Sequence, residues 1–514
     1  MTTPAGAEAA SRRTEIALPD EAAGAALAHE ISLYLRPGDL ILLGGDLGAG
    51  KTHFARALIR SIAGEPALEV PSPTFTLRQD YVTPRFAIAH LDLYRIGDPA
   101  EAGELDVEGA LGEGAALVEW PEKAGGALEN HPDRLEIGFA FAPGGGRIAT
   151  LAGHGSWAER LERREAVNSF LRDSGHGGDT RGFLQGDASP RRYERLSGAD
   201  GNLVLMDSPA RPDPGKDPAK AYSRVARLAE DVTPFVAIAA GLERAGLRAP
   251  HIHHRDMKAG LLILDDLGGG RITGPAGEPL PERYHAAMEA LVHLHRAGLS
   301  ETTEDYTLPA YSPETFLAET ALACQWFAPW RHGGELPDEA QDELRDAFSA
   351  ALAPVIADAE KSWTLRDYHS PNIIWIGEAE GLARVGIIDF QDALYGPAAY
   401  DVASLAMDAR VDIGEALERE LVDAYVTARA GDRGFDEARF RRDYAVMAAQ
   451  RNTKIVGIFA RLAMRDGKTG YLQHQPRIAT YLARALSHPH LAEVRRWFET
   501  RLPEAIDPQR VLKT

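Results

Sequence analysis

The sequence predicts two dissimilar domains in one chain: an α/β domain over residues 14–151 and a larger, bilobed α+β domain over residues 183–510. Residues 152–182 are expected to form a linker and the first helix of the second domain. Three observations carry that prediction. At 514 residues the chain is too long for one hydrophobic core, and about 150 residues per domain gives two or three. A short apolar run, a glycine loop and an amphipathic stretch follow one another between Asp39 and Gly64. Far downstream, Asp367 and Asn372, in D-x-x-x-x-N spacing, precede two apolar runs, the second ending at Asp389.

The composition, 44% hydrophobic and 26% charged, is that of ordinary globular protein. Fifty-six basic against 76 acidic residues give a net charge of -20, about half of it on either side of residue 155. Affinity for nucleic acid comes largely from Lys and Arg neutralising phosphates, so tight direct nucleic-acid binding by either half alone is not expected. Acidic chains can still act on RNA within larger complexes. The single cysteine, Cys324, excludes an internal disulfide framework and a cysteine-based zinc cluster. Arg12 and Arg13 are followed by no apolar run, so the N-terminus does not read as a signal peptide. No stretch approaches the roughly 18 consecutive apolar residues of a membrane span. A soluble, cytoplasmic protein without membrane association is expected.

In the first domain, Asp39–Leu43 reads as a buried strand. It enters Gly44-Gly45-Asp46-Leu47-Gly48-Ala49-Gly50-Lys51-Thr52, after which Phe54, Leu58, Ile59 and Ile62 recur at helical spacing until Gly64. Strand, glycine loop and helix in that order form the context in which G-x-x-x-x-G-K-[ST] cradles phosphate. The backbone of Gly45, Gly48, Ala49 and Gly50 can curl so that its N–H groups point inward, and the helix N-terminus adds partial positive charge. Lys51 can reach terminal phosphates and the Thr52 hydroxyl can ligate magnesium, so ATP with Mg2+ is the expected ligand. An ATPase also needs an acid at the end of a neighbouring strand. Phe86–Asp92 and Ala115–Glu119 both read as strands ending in a carboxylate.

Three further stretches follow this loop: Pro71-Ser72-Pro73-Thr74-Phe75-Thr76-Leu77, His90-Leu91-Asp92-Leu93-Tyr94-Arg95 and Val118-Glu119-Trp120-Pro121-Glu122-Lys123. Together the four motifs resemble the TsaE family, the small P-loop NTPase of the bacterial machinery that makes threonylcarbamoyladenosine in tRNA. The resemblance covers residues 14–151. It implies an ATPase working on partner proteins of the threonylcarbamoyl-transferase complex, with Lys51 and Thr52 serving phosphate and magnesium. It further implies Glu119 as the magnesium-side acid, Trp120 as a nucleotide contact, Asp92 as a second acid and Thr74 in a switch-like loop.

In the second domain, phosphoryl transfer to a hydroxyl requires a carboxylate to take the hydroxyl proton and ligands that hold magnesium on the phosphates. Asp367 and Asn372 have the spacing of such a loop. Ile373–Trp375 and Val385–Ile388 read as a hairpin, whose paired ends bring Asn372 and Asp389 together as oxygen ligands beside the Asp367 base.

Four stretches then point to a family: Gly186-Asp187-Ala188-Ser189-Pro190-Arg191-Arg192-Tyr193, Leu264-Asp265-Asp266-Leu267-Gly268, the Asp367 loop, and Asp389-Phe390-Gln391-Asp392 through Asp401. They resemble the aminoglycoside phosphotransferase superfamily, with its protein-kinase-like fold. The branch most similar is that of the AmgK-like cell-wall sugar kinases, which phosphorylate the anomeric hydroxyl of N-acetylmuramate or N-acetylglucosamine, and Gln450-Arg451-Asn452-Thr453-Lys454 also resembles it. The resemblance implies an amino-sugar substrate and a nucleotide-facing hinge at Asp265. Two positions depart from the superfamily. Met206-Asp207 follows Leu203-Val204-Leu205 where a nucleotide-binding lysine is expected, and Arg191, Arg192 or Lys216 could supply that charge. Leu365 stands two before the base, where the superfamily often has His.

His251, His253 and His254 read as part of the segment leading to the hinge, and His293 and His295 as packing or surface residues of one helix. Phe316, Trp326, Phe327 and Trp330 read as helical core. The alternatives for the second domain are a kinase for an aminoglycoside, choline or amino alcohol, or a regulatory pseudokinase.

Overall fold

A computed structural model of the chain describes residues 12–184, 191–199, 201–210, 218–303 and 305–512. The chain divides into two compact units: residues 1–187 with 193–201, and residues 188–192 with 202–514.

The first unit opens with strand β1 (Arg12–Leu18) and helix α1 (Glu21–Ser32), N-capped by the Asp20 side chain accepting from the Ala23 N–H. Strand β2 (Leu40–Gly45), helix α2 (Lys51–Ala63), strands β3 (Arg78–Tyr81) and β4 (Ala87–Asp92), helix α3 (Val107–Glu113), strands β5 (Gly114–Glu119), β6 (Arg134–Phe141) and β7 (Arg147–His154) and helix α4 (Ser156–Asp173) follow. The hairpin β8 (Thr180–Leu184) and β9 (Arg192–Gly198) ends the unit. Strands β1 to β7 form a seven-stranded sheet in the order β1-β7-β6-β2-β5-β4-β3. The central pairs β6–β2, β2–β5 and β5–β4 are parallel, and the flanking pairs are antiparallel.

Both faces of the central strands are covered, which is why they read as continuous apolar runs rather than alternating ones. Ile41, Leu43, Ala115 and Leu117 pack with Leu27, Ile31, Phe54 and Leu58 of α1 and α2. Leu40, Leu42, Ala116 and Val118 face the opposite side, with Ala110, Leu111 and Ala124.

Helix α4, expected to open the second domain, packs instead within the first unit. Trp157 and Leu161 are buried in the same core cluster as α1 and α2, and burial of such side chains contributes about 1.5–3 kcal/mol each. Arg160 donates to both oxygens of buried Asp39, at 2.6 and 2.7 Å. These contacts were invisible locally because the helix is polar in composition and its partner lies over a hundred residues upstream.

The second unit has a small sheet in which strand β10 (Gly201–Asp207) pairs antiparallel with β12 (Leu261–Asp265), itself paired with β11 (Ile252–Asp256). Its second lobe is mainly helical, built around the buried helix Glu437–Asp466 and the helices Pro281–Arg296, Asp338–Asp358 and Ala399–Ala406. The expected hairpin is present as Ile373–Trp375 paired with Val385–Ile387. Phe316 and Phe327 lie fully buried in this lobe, as core. No helix of the described residues is long and apolar enough to cross a membrane.

Candidate active sites

The first site forms where β2, β4 and β5 end. Parallel pairing sets Leu43 opposite Glu119 and Asp92 opposite Glu119, so both carboxylates leave the sheet beside the glycine loop. The loop depends on glycine at Gly45. Its φ is +124°, and a Cβ there would lie 2.3 Å from the Phe139 carbonyl oxygen of the neighbouring strand. Gly48 and Gly50 also have positive φ, and Gly50 caps α2.

Lys51 is buried, and its Nζ donates to the carbonyls of Gly45 (2.6 Å) and Asp46 (3.0 Å) while lying 3.6 Å from the centre of the Trp120 ring. Burial pushes its amine below the ordinary 10.5, against the opposing pull of Glu119, Glu122, Asp92 and Asp46. The Thr52 hydroxyl donates to Glu119 Oε2 at 2.7 Å, and His90 Nε2 lies 2.9 Å from Glu119 Oε1. The second carboxylate has separate partners: Asp92 Oδ2 accepts from the hydroxyls of Thr74 (2.6 Å) and Ser72 (3.3 Å), and Oδ1 from the Tyr94 N–H (3.0 Å). Trp120 holds φ at +60°, a left-handed conformation rare for a bulky residue, and its ring sits 4.9 Å from that of Tyr94. Thus Lys51, Thr52, Asp92, Glu119 and Trp120 meet at one place, and the hard oxygens of Thr52 and Glu119 suit magnesium.

The second site is built on the Asp367 loop. Asp401, fully buried, accepts from the backbone N–H groups of Leu365 (2.6 Å) and Arg366 (2.9 Å), and burial raises its carboxyl to about 7. Arg366 has φ +69°. Its guanidinium is buried on Glu319, which also pairs with Lys454 at 3.2 Å and accepts from Gln450 at 2.8 Å. Burial alone would raise the Asp367 carboxyl, but Lys454, His369, Arg451 and Arg366 outweigh it and hold the group below its ordinary range. Asn372 Nδ2 donates to the Asp367 carbonyl at 2.9 Å, and the Asn372 carbonyl accepts from Ile388 N–H at 3.0 Å. Asn372 and Asp389 therefore flank the same end of the hairpin.

Asp389 has φ +58°, and burial raises its carboxyl to about 6, with Arg191 opposing and Asp367 and Asp392 adding to the rise. Arg191 Nη1 donates to Asp389 Oδ1 at 2.8 Å, and Gln391 Nε2 donates to the same oxygen at 3.0 Å. Arg192 lies 3.9 Å from Asp207, the last residue of β10. Lys216 and residues 186–190 lie outside the described residues. Asp265 ends β12, its carboxylate engaged by His253 (2.8 Å) and Arg248 (2.9 Å). His251 meets Glu243 at 3.1 Å, while His293 and His295 meet the Ala245 carbonyl (2.6 Å) and the Tyr425 hydroxyl (2.7 Å).

Sequence reasoning gave no role to His90, Glu319, Arg366 or Lys454. His90 and Lys454 lay inside recognised motifs. Glu319 is a lone helical glutamate with no motif, and only the fold brings it under the loop.

Comparison with known proteins agrees with this division. Residues 18–143 match the family "Threonylcarbamoyl adenosine biosynthesis protein TsaE", and residues 181–441 match the "Phosphotransferase enzyme family". The N-acetylmuramate/N-acetylglucosamine kinase of Caulobacter vibrioides is 35% identical over 362 residues, covering 66% of this chain and 97% of that protein. Its namesake from Neisseria meningitidis is 33% identical over 308 residues, covering 59% of this chain and 84% of that protein. The tRNA threonylcarbamoyladenosine biosynthesis protein TsaE of Rickettsia felis is 35% identical over 170 residues, covering 33% of this chain and 93% of that protein. The chain therefore belongs to two families at once, as a fusion of a TsaE-family ATPase with a phosphotransferase-family, AmgK-like sugar kinase.

Proposed function

We propose that the first unit hydrolyses ATP in support of threonylcarbamoyladenosine modification of tRNA, together with the proteins of the transferase complex. The second unit transfers the γ-phosphoryl group of ATP to the anomeric hydroxyl of N-acetylmuramate or N-acetylglucosamine. The observation that supports the sugar-kinase reading most is the seating of Asp367 on a loop fixed by Asp401, its carbonyl bonded by Asn372 at the hairpin end that leads to Asp389.

In the second site, Asp367 accepts the proton of the sugar hydroxyl as the oxygen attacks phosphorus. Asn372 and Asp389 would hold magnesium, which neutralises charge on the phosphates when bound. Arg191 takes the place of the missing strand lysine, and Asp265 marks the hinge beside the nucleotide. In the first site, the N–H groups of Gly45, Gly48, Ala49 and Gly50 and the Lys51 amine receive the phosphates. Thr52 and Glu119 would hold magnesium and Trp120 would contact the nucleotide, while Asp92 steadies the Thr74 loop. Both reactions place the protein in the cytoplasm, where ATP and tRNA are found.

The test uses the full chain carrying Lys51→Ala, which silences the first site. It is offered ATP with N-acetylmuramate, N-acetylglucosamine, aminoglycosides, choline and amino alcohols in turn, and phosphorylated product is measured. Selective phosphorylation of the two N-acetylated sugars supports the reading. Turnover of another acceptor alone reassigns the substrate, and no turnover of any acceptor by this variant or by the wild-type chain leaves the pseudokinase reading.

A further inference from the structure

His90 is a buried ring beside the first site that the roles above do not use. It lies on β4, two residues before Asp92 and on the same face of the strand, since side chains alternate. Its side chain is fully buried, and Nε2 meets Glu119 Oε1 at 2.9 Å across the β4–β5 pair. Among the described residues Nδ1 is also buried and has no hydrogen-bond partner. A ring nitrogen without an acceptor cannot keep a proton comfortably, so the ring proton belongs on Nε2, donated to Glu119. Glu119 Oε2, the other oxygen, accepts from the Thr52 hydroxyl at 2.7 Å.

We propose that His90 is a positioning residue for Glu119: its Nε2–H fixes Oε1, so that Oε2 alone is presented to Thr52 and the magnesium side of the glycine loop. A carboxylate at a strand end can rotate about its last bond. A donor at a fixed point of the adjacent strand removes that freedom, and orienting partners of this kind commonly govern metal affinity or activity by about 10- to 100-fold. The role needs only a fixed donor. It rests on the reading of Glu119 as a magnesium-side acid, so the test separates the two.

In the full chain, His90→Phe keeps the ring and removes the donor, His90→Gln places an amide nitrogen near Nε2, and His90→Asn is one bond too short to reach Glu119. ATP hydrolysis is measured with its kcat and KM, and Mg2+ affinity in the presence of ADP is measured by calorimetry, with Lys51→Ala giving the baseline from the second unit. His90→Phe is expected to lower kcat about 10- to 100-fold, with KM for ATP little changed, and to weaken Mg2+ binding. His90→Gln should recover most of both, and His90→Asn little. On a Glu119→Ala background, His90→Phe should cost nothing further, because the two residues act as one unit.

If Glu119→Ala impairs the site while His90→Phe does not, His90 has no positioning role. Equal losses in the Gln and Asn variants, or full additivity with Glu119→Ala, overturn it also. A Glu119→Ala protein indistinguishable from wild type overturns both this inference and the reading it rests on. Should His90→Phe fail to fold, judged by its nucleotide-free unfolding midpoint, the Gln–Asn comparison decides.

Discussion

Arg191 donates to Asp389 at 2.8 Å, its guanidinium almost wholly buried, while strand β10 ends at the buried Asp207. Among the described residues, an arginine from the segment before β9 thus places a cation on the expected magnesium aspartate. Arg191→Ala should raise KM for ATP in sugar phosphorylation by about tenfold or more, the loss of a charge-assisted hydrogen bond, while the KM for sugar stays nearly constant. Arg192→Ala should do much less, because Arg192 faces Asp207. Steady-state kinetics in both substrates distinguishes the two.

Asp367→Asn preserves shape and removes the proton-accepting carboxylate. Turnover of sugar should fall by about 10² or more with ATP affinity nearly unchanged, as base catalysis typically supplies about 10²–10⁴. Single-turnover measurements with saturating ATP read the chemical step directly.

Lys51→Ala and Thr52→Ala should each weaken Mg2+–ATP binding at the first site, and Glu119→Ala should lower hydrolysis. Sugar phosphorylation should survive all three substitutions. Loss of kinase activity in Lys51→Ala would mean that the two nucleotide sites are not independent.

Glu319→Ala strips the carboxylate from two buried cations, Arg366 and Lys454. Leaving them unpaired should cost the second unit about 3–5 kcal/mol. Urea unfolding followed by tryptophan fluorescence measures it, and an unchanged midpoint would show that the pairing is dispensable.

Two buried groups give the second unit opposite responses to acid. Burial, with Arg429 adding to it, pushes His295 down to about 3 from an ordinary 6.5. The unfolded chain takes up that proton first, so this contribution to stability is complete above pH 6.5 and is lost as pH falls toward 3. Burial raises Asp401 to about 7 from an ordinary 3.8, so here the folded state binds the proton more tightly. Its contribution is complete below pH 3.8 and is lost as pH rises through 7. Unfolding midpoints between pH 4 and 8 should therefore decline less steeply toward acid in His295→Gln than in wild type, and more steeply in Asp401→Asn.

Much of this was legible in the sequence for a physical reason. A phosphate cradle needs glycine where φ is positive and a lysine and threonine at fixed offsets, so the sequence around Gly45, Gly50, Lys51 and Thr52 determined that site almost alone. Short apolar runs that end in a carboxylate likewise placed Asp92 and Glu119 at strand ends, and hairpin pairing placed Asn372 near Asp389. The tertiary structure decided what depends on residues distant in the chain. It seated α4 on the first sheet through Trp157 and the Asp39–Arg160 pair, and chose Arg191 over Arg192 for Asp389. It also set Glu319 beneath Arg366 and His90 against Glu119. A buried charge or ring proton takes its meaning from the partner that packing delivers, and no local spacing encodes that partner.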